Sequence, residues 1–251
     1  MSHVVARNVV VDFPIYGTRS RSLKSTMFRA ATGGLVAKDA EKRVVVRALN
    51  NVCFEFREGD RVGIVGHNGS GKTTLLRVLA GAYEPVSGTI DVSGRVASML
   101  SITVGMDMEA TGYENIFLRT AIMGFTPKSV GPLVDDIVDF SELGDYIHMP
   151  IRTYSSGMVM RLAFAISTSV SADIILMDEW LSAGDAAFAQ KAHGRLTAIL
   201  NEAKILVLAS HNEQLIKENC NKIMHLDHGE LLGIESLGGP NHVALSTTGN
   251  A

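Results

Sequence analysis

Cysteine is scarce in this sequence: Cys53 and Cys220 are the only two, far apart in a chain of 251 residues. So sparse a set excludes a disulfide-stapled secreted scaffold. Both thiols read as buried and reduced, in a cytosolic compartment. Long apolar runs are missing as well. No stretch approaches the roughly 20 residues needed to span a bilayer, so the chain is expected to lie against a membrane at most. Its first residues, MSHVVARNVVVDF, lack a basic segment followed by an apolar one and are not expected to act as a signal peptide. Excess charge is absent too: a formal net charge of −3 gives no reason to expect nucleic acid as a partner. Glutamine is nearly missing, with only Gln190 and Gln214. What remains, 46% hydrophobic residues in a chain this long, is enough for one large core or two modest ones.

Residues 4–13 and 43–56 are rich in valine. Val52, Phe54 and Phe56 alternate with Cys53, Glu55 and Arg57, as strands of an antiparallel sheet would require. Between them, residues 17–47 form a basic insertion. It holds Arg19, Arg21, Lys24, Arg29, Lys38, Lys42, Arg43 and Arg47 against Asp39 and Glu41, with a short amphipathic helix expected over SLKSTMFRAA and ended by Thr32-Gly33-Gly34. A strand is expected at 61–65, a helix at 72–80, and short strands at 89–92 and 95–100. Thr111-Gly-Tyr-Glu114 is a capping box opening a helix to about Met123. Thr126-Pro127 opens another running toward Phe140. Helix, strand, helix, strand then follow at 155–169, 174–177, 185–200 and 205–209. That alternation implies a parallel sheet covered on both faces. The Gly-, Ser-, Thr- and Asn-rich tail from 236 is expected to fray.

Gly66-His67-Asn68-Gly69-Ser70-Gly71-Lys72-Thr73 follows an apolar strand and opens a helix, the context that a phosphate-binding loop needs. Its glycines let backbone N–H groups turn inward toward phosphate oxygens, and the helix N-terminus adds partial positive charge. Lys72 would reach the β- and γ-phosphates, the Thr73 hydroxyl would ligate Mg²⁺, and Thr74 stands beside it. The alternative is a plain glycine turn with a solvated lysine, and the length of the pattern in its proper context weighs against it. Ile174-Ile-Leu-Met-Asp178-Glu179 is an apolar strand ending in two carboxylates. At the C-terminal edge of a parallel sheet they would lie beside the loop. Asp178 would serve the Mg²⁺ shell, and Glu179 would polarise the attacking water.

Between these sites stands Tyr154-Ser155-Ser156-Gly157-Met158-Val-Met-Arg161-Leu, leading a helix. By itself it reads as a serine cap on an apolar helix. In position and content it resembles the signature of ATP-binding cassette (ABC) proteins. Four features resemble that family further: Ser182-Ala-Gly-Asp185 after the acidic pair, His211 after the next strand, Tyr16 after the first strand, and helices between loop and signature. The resemblance covers residues 4 to about 234. It implies an α/β P-loop NTPase fold, an ABC nucleotide-binding domain over 1–251. This would have a parallel RecA-like core sheet with helices on both faces, an antiparallel β subdomain and a helical subdomain at about 101–170. It also implies an ATPase using ATP and Mg²⁺ as a head-to-tail homodimer. Tyr16 would stack on adenine. Ser155, Ser156 and Gly157 of one copy would face the γ-phosphate held by the other, with Asp185 nearby, and His211 would sense that phosphate.

Two departures from the family pattern stand out. Ser156 and Met158 replace the first glycine and the glutamine of the usual signature. The glutamine expected to ligate Mg²⁺ ahead of the signature is missing, and counting back from TGYENI puts Ser101 at its place. YSSGM…RLAFAI, the basic insertion and TGYENI together resemble the ATPases that export bacterial polysaccharides, O-antigen and teichoic acid among them. That branch implies two copies of a transmembrane permease, a lipid-linked polysaccharide handled through it, and a peripheral position on the cytoplasmic face of the inner membrane. The short stretch after the last strand is not expected to hold a carbohydrate-binding domain. The insertion would either face anionic headgroups or form a solvated loop. An importer or drug-exporter subunit is the nearer rival. ABC proteins acting on DNA or the ribosome would carry long coiled coils or two cassettes, and a small-substrate P-loop kinase would leave the SSGM helix, the SAGD loop and His211 unexplained. His225, Asp227 and His228 suggest a metal, but on a strand and turn without a fourth ligand they read as structural. Met99, Met106 and Met108 read as adaptable packing.

Overall fold

A computed structural model describes residues 1–15, 36–38, 44–100, 102–179 and 186–237. Two compact units divide the chain: residues 1–94, 176–179 and 204–251 form the first, and residues 95–175 and 180–203 the second.

In the first unit, β1 (His3–Pro14), β2 (Val36–Lys38), β3 (Val44–Arg57) and β5 (Ser87–Ser93) form an antiparallel sheet in the order β2-β3-β1-β5. Val52, Phe54 and Phe56 of β3 are buried by period-2 alternation, as are Val4 and Ala6, then Val9 and Val11, of β1, where the alternation slips by one residue between Ala6 and Val9. The same alternation overturns one expectation. Cys53 shares the outer face with Glu55 and Arg57 and is exposed, its Sγ donating to Asn8 Oδ1 at 3.1 Å. Only Cys220 is the expected buried thiol, and loss of hydration pushes its pKa up to about 12 against a smaller opposing effect of Arg61. Register shifts in β1 fall around Asn8, whose φ of +50° is one that asparagine tolerates better than most residues. Of the basic insertion, β2 and the start of β3 are seen. Arg47 grips Asp12 through Nε and Nη2 at 2.9 and 3.0 Å, so this cation is already committed within the sheet. The helix expected over SLKSTMFRAA lies outside the described residues.

The second sheet runs β10-β9-β4-β8-β7-β6. β4 (Arg61–Val65) pairs in parallel with β8 (Ile205–Ala209) on one side and β9 (Lys222–Asp227) on the other, while β10 (Glu230–Ser236) returns antiparallel to β9. β4, β8 and β7 (Ile174–Asp178) are almost wholly apolar and buried, the composition that a sheet covered on both faces demands. β7 begins in the second unit and ends in the first. α1 (Lys72–Leu79) follows β4, and α7 (Glu213–Asn219), capped by the Asn212 side chain, follows β8.

The second unit holds β6 (Val96–Ser98) and the helices α2 (Gly112–Ile122), α3 (Pro127–Val130), α4 (Val134–Ser141), α5 (Ser156–Ser167) and α6 (Ala186–Glu202). Thr111 and Glu114 form the expected capping box, which holds the Glu114 carboxyl below its usual range through the Thr111 N–H and hydroxyl. One expectation fails: the helix from Thr126 is broken by a 3₁₀ turn at Gly131–Leu133 before it resumes. Pro132 has no N–H to donate, so the ladder of helical hydrogen bonds is interrupted there. Phe140, Phe164 and Phe188 bring α4, α5 and α6 together with ring centroids 5.5–6.2 Å apart, and the Arg195 guanidinium covers Phe140 at 4.3 Å. Arg119 is buried on α2. It donates to the Val104 carbonyl, and loss of hydration pushes its pKa down. Met99 is buried and Met108 exposed. Among the described residues no helix is long and apolar enough to cross a membrane.

Candidate functional site

Parallel pairing decides where the chemistry-bearing residues of the first unit collect. Ile64 of β4 lies beside Ala209 of β8, and the Glu179 N–H donates to the Ala209 carbonyl at 2.7 Å, so β4, β7 and β8 end along one edge. The Gly66–Thr73 loop leaves β4 at that edge. Asp178 and Glu179 terminate β7 there, and His211 follows β8 as an exposed residue in the turn before α7.

The loop wraps the start of α1. A Cβ on Gly66 would fall 2.1 Å from the Leu226 carbonyl and 2.5 Å from Ser70 Oγ, and Gly71 has a φ of +106° with the Ala48 carbonyl 2.7 Å from where a Cβ would stand. Backbone must come this close for the loop to close, so glycine is required at both. Ser70 is fully buried, and its carbonyl accepts from the Gly229 N–H at 2.9 Å. Lys72 is 7% exposed, and its Nζ donates to the carbonyls of Gly66 (2.7 Å) and His67 (3.0 Å), which curls the ammonium into the loop. Burial pushes its pKa down, against a smaller upward pull from Asp178 and Glu179. His67, Asn68 and Gly69 form the exposed rim, and Thr74 is half-buried.

Thr73 Oγ1 donates to Asp178 Oδ2 at 2.5 Å. Two residues far apart in sequence thus present hard oxygen donors at one point beside Lys72, the donor type that Mg²⁺ takes. Glu179, exposed, has a φ of +66°, a left-handed backbone at a residue without glycine's freedom. Such strain collects at functional sites and fixes the direction of the side chain.

In the second unit, Ser155 is the N-cap of α5: its Oγ accepts from the Met158 N–H at 3.2 Å. The helix starts at Ser156, one residue later than expected. The hydroxyl proton of Ser155 is left to donate outward, and the N–H groups of Ser156 and Gly157 lie in the first turn, where no helical carbonyl precedes them. Ser155 and Ser156 are exposed and Gly157 half-buried, so this N-terminus is open to an anion. Tyr154 holds the approach by donating to the Tyr146 carbonyl at 2.5 Å. Tyr16, Ser101 and Asp185 lie outside the described residues, as does Ser182.

Sequence reasoning finds one constellation only in part, picking out Asp227 and His228 but not His67. His67 Nε2 stands 3.0 Å from Asp227 Oδ1, and His228 Nε2 stands 3.9 Å from the same oxygen. His225, expected beside them, turns instead to Glu235 at 3.3 Å. The only signal was the parallel register of β4 with β9, which sets Val65 beside His225 and carries His67 alongside Asp227 two residues later.

Known proteins resemble this chain in sequence and in fold. The family model described as "ABC transporter" matches residues 49–182. The chain is 44% identical over 229 residues to the O-antigen export system ATP-binding protein RfbE of Yersinia enterocolitica, covering 91% of this chain and 96% of that one. It is 37% identical over 224 residues to the teichoic acids export ATP-binding protein TagH of Bacillus anthracis, covering 89% of this chain but 39% of TagH. Among solved structures, it superimposes on the ATP-binding cassette MJ0796 in a dimeric post-hydrolysis state bound to ADP and Pi. The TM-score is 0.65 at 19% identity, covering 94% of this chain and 99% of that one, and the likeness shows a shared fold.

Proposed function

Since the chain belongs to the ABC transporter family, whose cassettes bind and hydrolyse ATP, we propose that it is the ATPase of an exporter of lipid-linked, O-antigen-like polysaccharide. In this reading it works as a homodimer under two copies of a transmembrane permease, at the cytoplasmic face of the inner membrane. Its two compact units serve as the core and helical parts of a single cassette. The names of RfbE and TagH give export of O-antigen and of teichoic acids, which supports the export reading, and RfbE matches the chain along nearly its whole length.

The observation that carries the ATPase chemistry is the Thr73–Asp178 contact at the mouth of the Lys72 loop. The loop's N–H groups and Lys72 hold the β- and γ-phosphates of ATP. Thr73 and Asp178 would hold Mg²⁺, which neutralises charge on those phosphates, and Ser101 is a candidate for the same shell. Glu179 takes a proton from the attacking water, and His211 donates to the γ-phosphate. A second copy presents Ser155, Ser156 and Gly157 to the outer face of that phosphate, so ATP joins the two copies and hydrolysis parts them. Tyr16 stacks on the adenine, and Asp185 stands near the γ-phosphate.

Glu179→Gln tests the reading, because it keeps binding and removes the base. In light scattering, this variant with ATP and Mg²⁺ is expected to run at twice the monomer mass, with wild type dissociating as it turns over. A variant that stays monomeric with ATP bound contradicts the sandwich. In cells lacking the wild-type gene, Glu179→Gln is expected to leave polysaccharide inside, and surface polymer at wild-type level would contradict the export role.

A further inference from the structure

We propose that His67, Asp227 and His228 form a binding site for a divalent transition metal, best suited to Zn²⁺, at the outer rim of the phosphate-binding loop. Two imidazole nitrogens and one carboxylate oxygen converge there, all within 4.8 Å of one another. Bonds of about 2.0–2.2 Å in a tetrahedral site place ligand atoms about 3.4 Å apart, and the separations from Asp227 Oδ1, 3.0 and 3.9 Å, bracket that spacing. Small side-chain rotations close the difference, since the three side chains are 44–45% exposed and free to adjust.

The hydrogen bonding of His67 argues for an ion. Its Nδ1 lies 2.7 Å from the Asn68 carbonyl oxygen, which can only accept, so Nδ1 carries the proton. In the neutral ring the Nε2 lone pair then faces the Asp227 carboxylate across 3.0 Å, an arrangement satisfied only by a second proton or a metal ion between them. A backbone carbonyl behind the distal ring nitrogen is also the usual outer-shell partner of a metal-bound histidine. The nitrogen-rich set distinguishes this site from the oxygen donors Thr73 and Asp178, which suit Mg²⁺. Three protein ligands leave a fourth position for water.

The ion would act on the loop itself. His67 opens the loop, and its carbonyl accepts from Lys72 Nζ and from the Ser70 N–H. Asp227 ends β9 and His228 begins the β9–β10 turn, whose Gly229 N–H holds the Ser70 carbonyl. A bound ion therefore adds a second tie between loop and turn.

Titration of the full-length, nucleotide-free chain tests the site, since ATP would itself chelate the metal. Calorimetry with Zn²⁺ is expected to give one ion per chain, and Co²⁺ an intense visible absorption of tetrahedral type, displaced by Zn²⁺ but not by Mg²⁺. His228→Ala and Asp227→Asn are each expected to weaken binding at least about tenfold and to abolish the Zn²⁺-dependent rise in Tm. His225→Ala, which removes the neighbour facing Glu235, is expected to leave it unchanged. Absence of saturable binding, meaning that a proton alone bridges His67 and Asp227, would overturn the proposal. So would binding that survives His228→Ala and Asp227→Asn.

Discussion

Gly71 and the two cysteines illustrate how single residues are set by their surroundings. Gly71 combines a positive φ with a carbonyl 2.7 Å from where a Cβ would stand. Gly71→Ala is therefore expected to cost about 1–3 kcal/mol in denaturant unfolding and to weaken ATP binding, because the loop must spread to admit the methyl group. A variant of wild-type stability would show that the Ala48 backbone yields freely. Cys220, its pKa raised to about 12 by burial, stays a thiol at pH 8 and should not react with a disulfide reagent until the protein unfolds. Cys53, exposed on the outer face of β3, should react at once. One fast equivalent followed by a second in denaturant is the expected result, and two fast equivalents would contradict the burial of Cys220. The exposure of Cys53 was already legible in the alternation of Val52, Phe54 and Phe56 with their neighbours. Scarcity of cysteine pointed the other way, and the local pattern prevailed.

At the scale of elements, Ser155 has two duties that substitution can separate. Its Oγ accepts from Met158, and its hydroxyl proton remains to donate to a phosphate. Ser155→Ala removes both, and is expected to cost about 1 kcal/mol of stability together with ATPase activity. Ser155→Asp caps the helix as well as serine does but puts negative charge where the γ-phosphate must sit. Retained Tm with lost ATPase is the expected pattern, and full activity in Ser155→Asp would remove Ser155 from the site. The caps themselves were readable in advance: Thr111 with Glu114 gave the start of α2, and Ser155 gave the start of α5 to within one residue. Elements governed by a single breaker or by distant pairing were less readable. Pro132 splits α3 from α4 although the apolar spacing continues through it. β2 exists through its pairing with β3, which no local pattern in a lysine- and arginine-rich segment announces.

For the whole molecule, the chemistry depends on pairing that sequence order hides. Residues of the loop and of the acidic strand could each be picked out by motif, but the 2.5 Å contact between Thr73 and Asp178 arises from the parallel sheet that aligns their ends. The approach of His67 to Asp227 arises in the same way, from β4 against β9. It was missed because residues so far apart in sequence carry no joint signal until the register is known. The central claim, that Lys72 of one copy and Ser155 of its twin grasp each ATP from opposite sides, concerns two chains, and cross-linking tests it most directly. One preparation would carry Asn68→Cys and another Ser155→Cys, both with Cys53→Ser and Glu179→Gln, mixed and treated with a short thiol-specific cross-linker. A covalent dimer that forms with ATP and Mg²⁺, and only when both preparations are present, is the predicted result. The account is contradicted if the mixture yields no more dimer with ATP than without it.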